Sequence, residues 1–378
     1  MNFGERLEAI EAAGNMRHIP GCDAACRYDF STNDYLGINE DEALRDEFRH
    51  AMAAHGYSLS MAASRLLGAD QSCHNSLEAL LTGLYGRECL LFNSGYHANT
   101  GIISAVADKH TLILADKLVH ASIIDGILLS RATFTRFAHN DLDKLEQLVA
   151  EADDKYDTIL VIVESVYSMD GDRCDIERLV EIRRRYPRVM LYVDEAHAFG
   201  VLGDRGLGLC APHQEVDIII GTLGKAAASM GAFAVVGDTL RRYLINTARS
   251  FIFSTALPPA QAAWSELVIR HITGMDDRRE RLASLARRLH DGLHAESAPS
   301  HIVPYIVGDA HRVVEMSRQM LDEYGVKVLP IRRPTVAAGT ERLRISLSAA
   351  QSDEAIDTLI ASIRAMNSAI NKPKHTQQ

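Results

Sequence analysis

The chain has little of what would mark it as secreted, membrane-embedded or nucleic-acid-binding. It carries one tryptophan and 6% aromatics in 378 residues, and its six cysteines are scattered over Cys22, Cys26, Cys73, Cys89, Cys174 and Cys210. Only Cys22 and Cys26 lie close together and no second pair completes a ligand set, so reduced thiols and no metal site are expected. Its apolar runs, such as Thr158–Val163 and Asp217–Ile220, are strand-sized and far below bilayer-spanning length, so no membrane association is expected. Met1–Pro20 is polar and mixed in charge, without the apolar region of a secretory signal, and a cytoplasmic location is expected. Positive charge is not in excess either: 40 Lys and Arg against 50 Asp and Glu leave −10 at pH 7, which argues against nucleic acid as the main partner. At 47% hydrophobic and 24% charged, the composition excludes disorder and leaves an ordinary globular chain of two or three domains.

What the sequence does contain is alternation. From about residue 40 to 260, the apolar runs Glu88–Phe92, Thr111–Ala115, Thr158–Glu164, Val189–Val193 and Asp217–Ile220 are separated by helical patterns such as Ile176–Tyr186. Continuous apolar strands between helices predict an α/β fold with a mostly parallel central sheet covered by helices on both faces. After Pro258-Pro259 the character changes to an arginine-rich helical stretch, Ala260 to about Ala295. Short strands follow at Ile302–Val307, Val326–Pro330 and Arg342–Ser348, and a last helix at Asp353–Asn367. The expected organisation is an N-terminal arm (1–39), a large domain (40–259), a smaller α+β C-terminal domain (260–371) and a disordered tail (372–378).

Polar and glycine residues cluster where the strands end, which is where ligands bind in open parallel sheets. Asp194-Glu-Ala-His197 closes one strand, and Lys225, 31 residues after Asp194, follows the next in Gly221-Thr-Leu-Gly-Lys225. A lysine among small neighbours has little apolar surface to lie along, and partial burial favours the neutral amine that carbonyl chemistry needs. An aspartate on the adjacent strand can hold a proton on a pyridine nitrogen, the arrangement a pyridoxal phosphate ring requires to accept electrons. Ser94-Gly-Tyr-His97 opens a helical stretch whose N–H groups suit a phosphate, Thr222 adds a hydroxyl, and His120 offers a flat face for the ring. Taken singly these features are weak: Asp-x-x-His is usually a cap or surface pair. Gly221–Lys225 also fails as a phosphate-binding P-loop, because Ile219 and Ala226 stand where that pattern needs Gly and Ser or Thr. Their order along the chain is what carries weight.

Asn33-Asp-Tyr-Leu-Gly37, Ser94-Gly-Tyr-His-Ala-Asn99, His120-Ala-Ser122, Ser168-Met-Asp-Gly-Asp172, Asp194-Glu-Ala-His197 and Gly221-Thr-Leu-Gly-Lys225 appear in one order along nearly the whole chain. In this the chain resembles the α-oxoamine synthases, pyridoxal-phosphate-dependent transferases of fold type I. Phe137-Ala-His-Asn-Asp141, Phe253-Ser-Thr-Ala-Leu-Pro-Pro-Ala-Gln261 and Ile331–Thr340 are most similar to the branch that condenses L-alanine with a pimeloyl thioester in biotin biosynthesis. Three stretches depart from the family pattern. Ser58–Ala63 lacks the usual glycines, Ala226-Ala-Ala228 stands where a glycine commonly follows the lysine, and the segment between Arg17 and Ser31 is short.

The resemblance implies roles for individual residues. Lys225 would carry the cofactor and serve as proton-transfer base; Asp194 would pair with the ring nitrogen and His197 with the ring hydroxyl. His120 would stack on the ring and Ser168 would sit near the ring oxygen. Gly95, Tyr96 and Thr222 would hold the phosphate, with Ser254 and Thr255 reaching it from a neighbouring subunit, so a homodimer with shared sites is implied. Arg344 would grip the amino-acid carboxylate, with Asn33 nearby. Arg17 is a candidate for the acyl carboxylate, its other reading being a surface arginine. The implied partners are L-alanine and an acyl-CoA or acyl-carrier-protein thioester. A glycine-using or long-chain relative, a transaminase or lyase on the same fold, and a non-catalytic cofactor-binding protein are the alternatives.

Overall fold

The computed structural model describes residues 2–19, 21, 25–294 and 298–370; Cys22 and the tail expected over 372–378 lie outside them. Two compact units result. One comprises Leu36–Ser168 and Arg173–Arg279, the other Met1–Tyr35, Met169–Asp172 and Glu280–Gln378. Along the chain come β1 (Tyr28–Asp29), β2 (Glu88–Phe92), β3 (Thr111–Asp116), β4 (Thr133–Phe137), β5 (Thr158–Glu164) and β6 (Val189–Asp194). These are followed by β7 (Ile218–Thr222), β8 (Ala232–Val236), β9 (Ile302–Ile306), β10 (Val326–Lys327), β11 (Leu329–Ile331) and β12 (Arg342–Ser346).

The larger unit is built on one seven-stranded sheet in the order β2-β8-β7-β6-β5-β3-β4. β4, β3, β5, β6 and β7 run parallel, while β8 is antiparallel to both β7 and β2. Side chains alternate faces along a strand. Leu160 and Ile162 of β5 join a core cluster with Ile102, Ile123 and Leu244, and Val161 and Val163 on the other face are equally buried. Burial on both faces is why β5 and its neighbours read as unbroken apolar runs. The mostly parallel α/β sheet expected from the sequence is therefore present. β4 and β8 were not among the expected strands. β4 is an edge strand exposed along most of its length, and β8 is a short run behind Gly231.

The helix Pro259–Ile272 packs on the helix Ser72–Tyr85 within this unit, which runs on to Arg279. The arginine-rich stretch breaks at Thr273–Met275, and the helix Asp276–Leu293 follows. In the smaller unit β11, β12 and β9 form an antiparallel sheet, and β1 pairs in parallel with β10. The last helix covers Asp353–Ile370. Among the described residues no helix is long and apolar enough to cross a membrane, and no group of three or more His, Cys, Asp or Glu could hold a metal ion.

Candidate active site

Four neighbouring strands of the larger unit each end on a buried polar side chain: Asp116 on β3, Glu164 on β5, Asp194 on β6 and Thr222 on β7. A parallel sheet delivers these ends to one edge, so residues more than a hundred positions apart meet there.

Asp194 is held from two sides. Its Oδ1 accepts the N–H of Ala196 at 2.9 Å, which closes the turn into the 194–200 loop, and its Oδ2 accepts Asn99 Nδ2 at 2.8 Å. Asn99, on the helix Gly95–Val106, also donates to Ser122 Oγ at 2.9 Å and accepts the Tyr192 hydroxyl at 2.6 Å. Ser122 Oγ lies 2.7 Å from His120 Nδ1, and the Ser122 N–H points at the same nitrogen from 3.2 Å. The last contact makes Nδ1 an acceptor, which assigns the neutral ring's proton to Nε2. A continuous hydrogen-bonded chain thus joins His120 to Asp194. Desolvation pushes the His120 pKa below its ordinary value; the negative Asp194 opposes that and Lys225 adds to it.

Lys225 Nζ is 2.7 Å from His197 Nε2. The loop carrying the lysine closes on itself: Leu223 N–H bonds to Gly231 O at 2.9 Å, Ser229 N–H to Leu223 O at 2.9 Å, and Ala228 N–H to Lys225 O at 2.8 Å. Two of the family departures sit on strained backbone. Ala228 in this turn has φ +42° and Ala62 in the Ser58–Ala63 stretch has φ +51°, a left-handed conformation that costs an alanine about 1–2 kcal/mol. The sequence departs from glycine at positions where glycine is the unstrained residue.

At the phosphate end of the expected site, Ser94 caps the helix Gly95–Val106 by accepting the His97 N–H at 3.2 Å. A Cβ placed on Gly95 would lie 4.0 Å from Thr222 Oγ1, so the helix start and the end of β7 stand together. Tyr96 is half exposed, its hydroxyl bonded to Asp125. Ser254 Oγ accepts Asn93 Nδ2 at 2.8 Å, and Thr255 O accepts the same amide, which places both residues beside this helix start in their own chain. Ser168 lies in the turn after β5, partly buried.

In the smaller unit Arg344 is buried on β12, and both its Nη atoms converge on Asn33 Oδ1 at 3.1 Å. Nη1 also reaches Ser346 Oγ at 2.6 Å, and the Tyr35 hydroxyl donates to Asn33 Oδ1 at 3.0 Å. Burial pushes the Tyr35 pKa up to about 12, so it donates as a neutral phenol. Arg17 is exposed and its Nη2 bonds Thr335 Oγ1 at 3.1 Å.

The model of the family "Aminotransferase class I and II" matches residues 28–363. The chain belongs to that family. Among its relatives, a putative 8-amino-7-oxononanoate synthase of Pasteurella multocida is 43% identical over 96% of this chain and 98% of its own length. The 8-amino-7-oxononanoate synthase of Chlorobaculum parvum is 43% identical over 89% of each chain. Of the solved structures, a serine palmitoyltransferase of Sphingomonas wittichii superposes with a TM-score of 0.87 at 30% identity, covering 97% of this chain and 96% of its own. The 8-amino-7-oxononanoate synthase of Francisella tularensis does so with 0.75 at 26% identity, over 91% of this chain and 97% of its own.

Three buried side chains of this candidate site escaped the sequence reading. Asn99 stood inside a quoted motif without a role. Glu164 ends an apolar strand just as Asp194 does, and that shared position was the available signal. Glu195 is wholly buried: its Oε1 accepts Leu209 N–H at 2.8 Å and its Oε2 accepts Cys210 N–H at 3.2 Å, tying the 202–210 loop to the end of β6. A Cβ on Gly208, where φ is +89°, would lie 2.2 Å from that carboxylate, so only glycine fits there. Nothing in the sequence distinguished Glu195 from an exposed glutamate.

Proposed function

We propose that this chain is a pyridoxal-phosphate-dependent acyltransferase that condenses L-alanine with a pimeloyl thioester, giving 8-amino-7-oxononanoate, CO2 and a free thiol. The reading is carried by the identity of about 43% to relatives of that name over nearly the full chain, joined to the Lys225–His197 contact and to Lys225 and Asp194 both acting on His120.

The donor set fits pyridoxal phosphate. A lysine amine, a buried carboxylate, the exposed imidazole of His120 and a capped helix N-terminus beside a threonine hydroxyl match the aldehyde, ring nitrogen, ring face and phosphate in turn. When bound, that group supplies an electron sink for the substrate α-carbon. Asp194, fixed by Asn99 and the Ala196 N–H, holds a proton at the ring nitrogen. His197 orients the Lys225 amine and the ring hydroxyl, and Ser168 stands by the same oxygen. Lys225 would move the α-proton of alanine and later return one to the product. Neutral His120 presents its ring face and keeps a proton on Nε2. The first N–H groups of the helix Gly95–Val106, including those of Gly95 and Tyr96, bind the phosphate with Thr222, and Ser254 and Thr255 reach it from the neighbouring subunit. Arg344, set by Asn33, takes the alanine carboxylate as a planar fork, and Arg17 takes the acyl carboxylate. The enzyme works in the cytoplasm as a homodimer, and its acyl donor is a CoA or carrier-protein thioester.

The test is turnover with product mass. The purified protein, loaded with pyridoxal phosphate, is given L-alanine, glycine or L-serine with pimeloyl-CoA, acetyl-CoA or palmitoyl-CoA. Alanine with pimeloyl-CoA should give the largest rate and release one thiol per aminoketone. A larger rate for serine with palmitoyl-CoA would move the chain to the long-chain branch, and turnover to a keto acid without thioester would make it a transaminase.

A further inference from the structure

We propose that Glu164 is a positioning residue: it holds the His120 ring in place through the His120 main chain, and it does so as the uncharged acid. This rests on the reading above, in which His120 lies against the cofactor.

β5 is apolar up to its last residue, Glu164, which is 3% exposed. Glu164 Oε1 accepts the His120 backbone N–H at 2.5 Å. His120 is the capping residue of the helix Ala121–Ser130; its carbonyl accepts the Ile123 N–H, while its own N–H lies ahead of the helix's hydrogen bonds and is held by Glu164. The side-chain contacts to Ser122 then set the ring relative to that main chain. Removing the Glu164 acceptor leaves His120 held at its carbonyl, which accepts the Ile123 N–H at 2.9 Å, and at its ring, but releases its N–H side.

Its charge state follows from its neighbours. Glu164 on β5 is directly opposite Asp194 on β6, and registered residues on adjacent strands point to the same face. Two buried carboxylates side by side do not both stay ionised. Asp194 has two donors, one of them an amide side chain, whereas Glu164 has one main-chain N–H. With a single donor against two, Glu164 is the carboxyl that keeps the proton. The titratable groups around it are Asp194 on β6, Asp116 at the end of β3, Tyr167 in the segment after β5, and Lys225 from the loop after β7. Burial first and Asp194 second push its pKa well up, Asp116 adds to this, and Lys225 with the His120 N–H pulls back only in part.

The experiment compares Glu164→Leu with Glu164→Gln. Leucine removes the acceptor, while glutamine keeps a carbonyl oxygen and adds no charge. Loss of one buried hydrogen bond to a main-chain donor should lower kcat of Glu164→Leu about 10–100-fold with KM for alanine nearly unchanged. Glutamine should rescue most of that loss and leave the pH profile of kcat in place. In the cofactor-free protein the His120 amide proton should resonate far downfield in the parent and in Glu164→Gln, and move upfield in Glu164→Leu. The infrared spectrum of the parent at about pH 8 should carry a protonated-carboxyl band that Glu164→Gln lacks. A glutamine variant as slow as the leucine one, or no such band, would overturn the proposal. If the parent itself turns over no thioester, the functional reading falls. The amide shift and the infrared band still decide the Glu164 proposal, because neither needs cofactor or substrate.

Discussion

Truncating Asn99 to alanine removes the bond that holds Asp194 Oδ2, and its cost can be worked from the contacts. Asn99 is 1% exposed and makes three buried hydrogen bonds, to Asp194 at 2.8 Å, Ser122 at 2.9 Å and Tyr192 at 2.6 Å. Ser122 retains His120 as a partner and Asp194 retains the Ala196 N–H. The Tyr192 hydroxyl retains none, and it cannot escape by ionising, because burial and the Asp194 charge hold its pKa well above the ordinary range. A buried hydroxyl without an acceptor costs about 1–3 kcal/mol and a lost bond to a charged group about 1.5–3 kcal/mol, so Asn99→Ala should destabilise the fold by about 2.5–6 kcal/mol. The assay is reversible urea unfolding of the cofactor-free protein at one fixed concentration, since bound ligand and association both shift apparent stability. Adding Tyr192→Phe supplies the internal check. In the parent it orphans Asn99 Oδ1 and costs about 1–3 kcal/mol; in Asn99→Ala it removes the orphan hydroxyl and should cost nothing or restore stability. Strict additivity of the two substitutions would refute the network.

Other outcomes follow from the same geometry. Asp194→Asn preserves the shape but not the charge that holds a ring proton, and turnover should fall by about 100-fold or more, measured with alanine and pimeloyl-CoA; activity within a few-fold of the parent would contradict the assigned role. Borohydride reduction of the holoenzyme followed by peptide mapping should mark Lys225, and a mark on any other lysine would remove the assignment. Ala228→Gly relieves about 1–2 kcal/mol of left-handed strain against a glycine entropy cost of about 0.5–1 kcal/mol, so the melting temperature should rise slightly; a fall would show that the Trp264 Nε1 bond to Ala228 O at 3.2 Å needs the alanine backbone. Burial raises the Glu195 pKa from 4.5 to about 7. The folded state therefore binds this proton more tightly, and the stability it contributes is complete below pH 4.5 and lost as pH rises through about 7. The stability of the parent relative to Glu195→Gln should fall over that window by on the order of 3 kcal/mol, and a difference that does not change with pH would rule this out.

The parallel strands were legible because burial on both faces demands unbroken apolar runs, as in Thr158–Val163. β4 was not, because an exposed edge strand such as Thr133–Phe137 carries no such demand. β8 was hidden because a five-residue run of alanine, phenylalanine and valine reads equally as the wall of a buried helix. Lys225, Asp194, His197 and His120 could be picked out because their residue types are unusual at the ends of apolar strands. Asn99 and Glu195 could not, since an asparagine or glutamate takes its role from what it faces.

Sequence alone determined the periodicity, the order of the strands along the chain and the chemical types at their ends, all of which are local properties of neighbouring residues. Only the tertiary structure decided that Glu164 and Asp194 stand in register, that Asn99 reaches Asp194 from a helix, and that Thr222 meets Gly95. Those facts depend on sheet order and helix placement. They are set by packing among residues far apart in the chain, which no local pattern encodes.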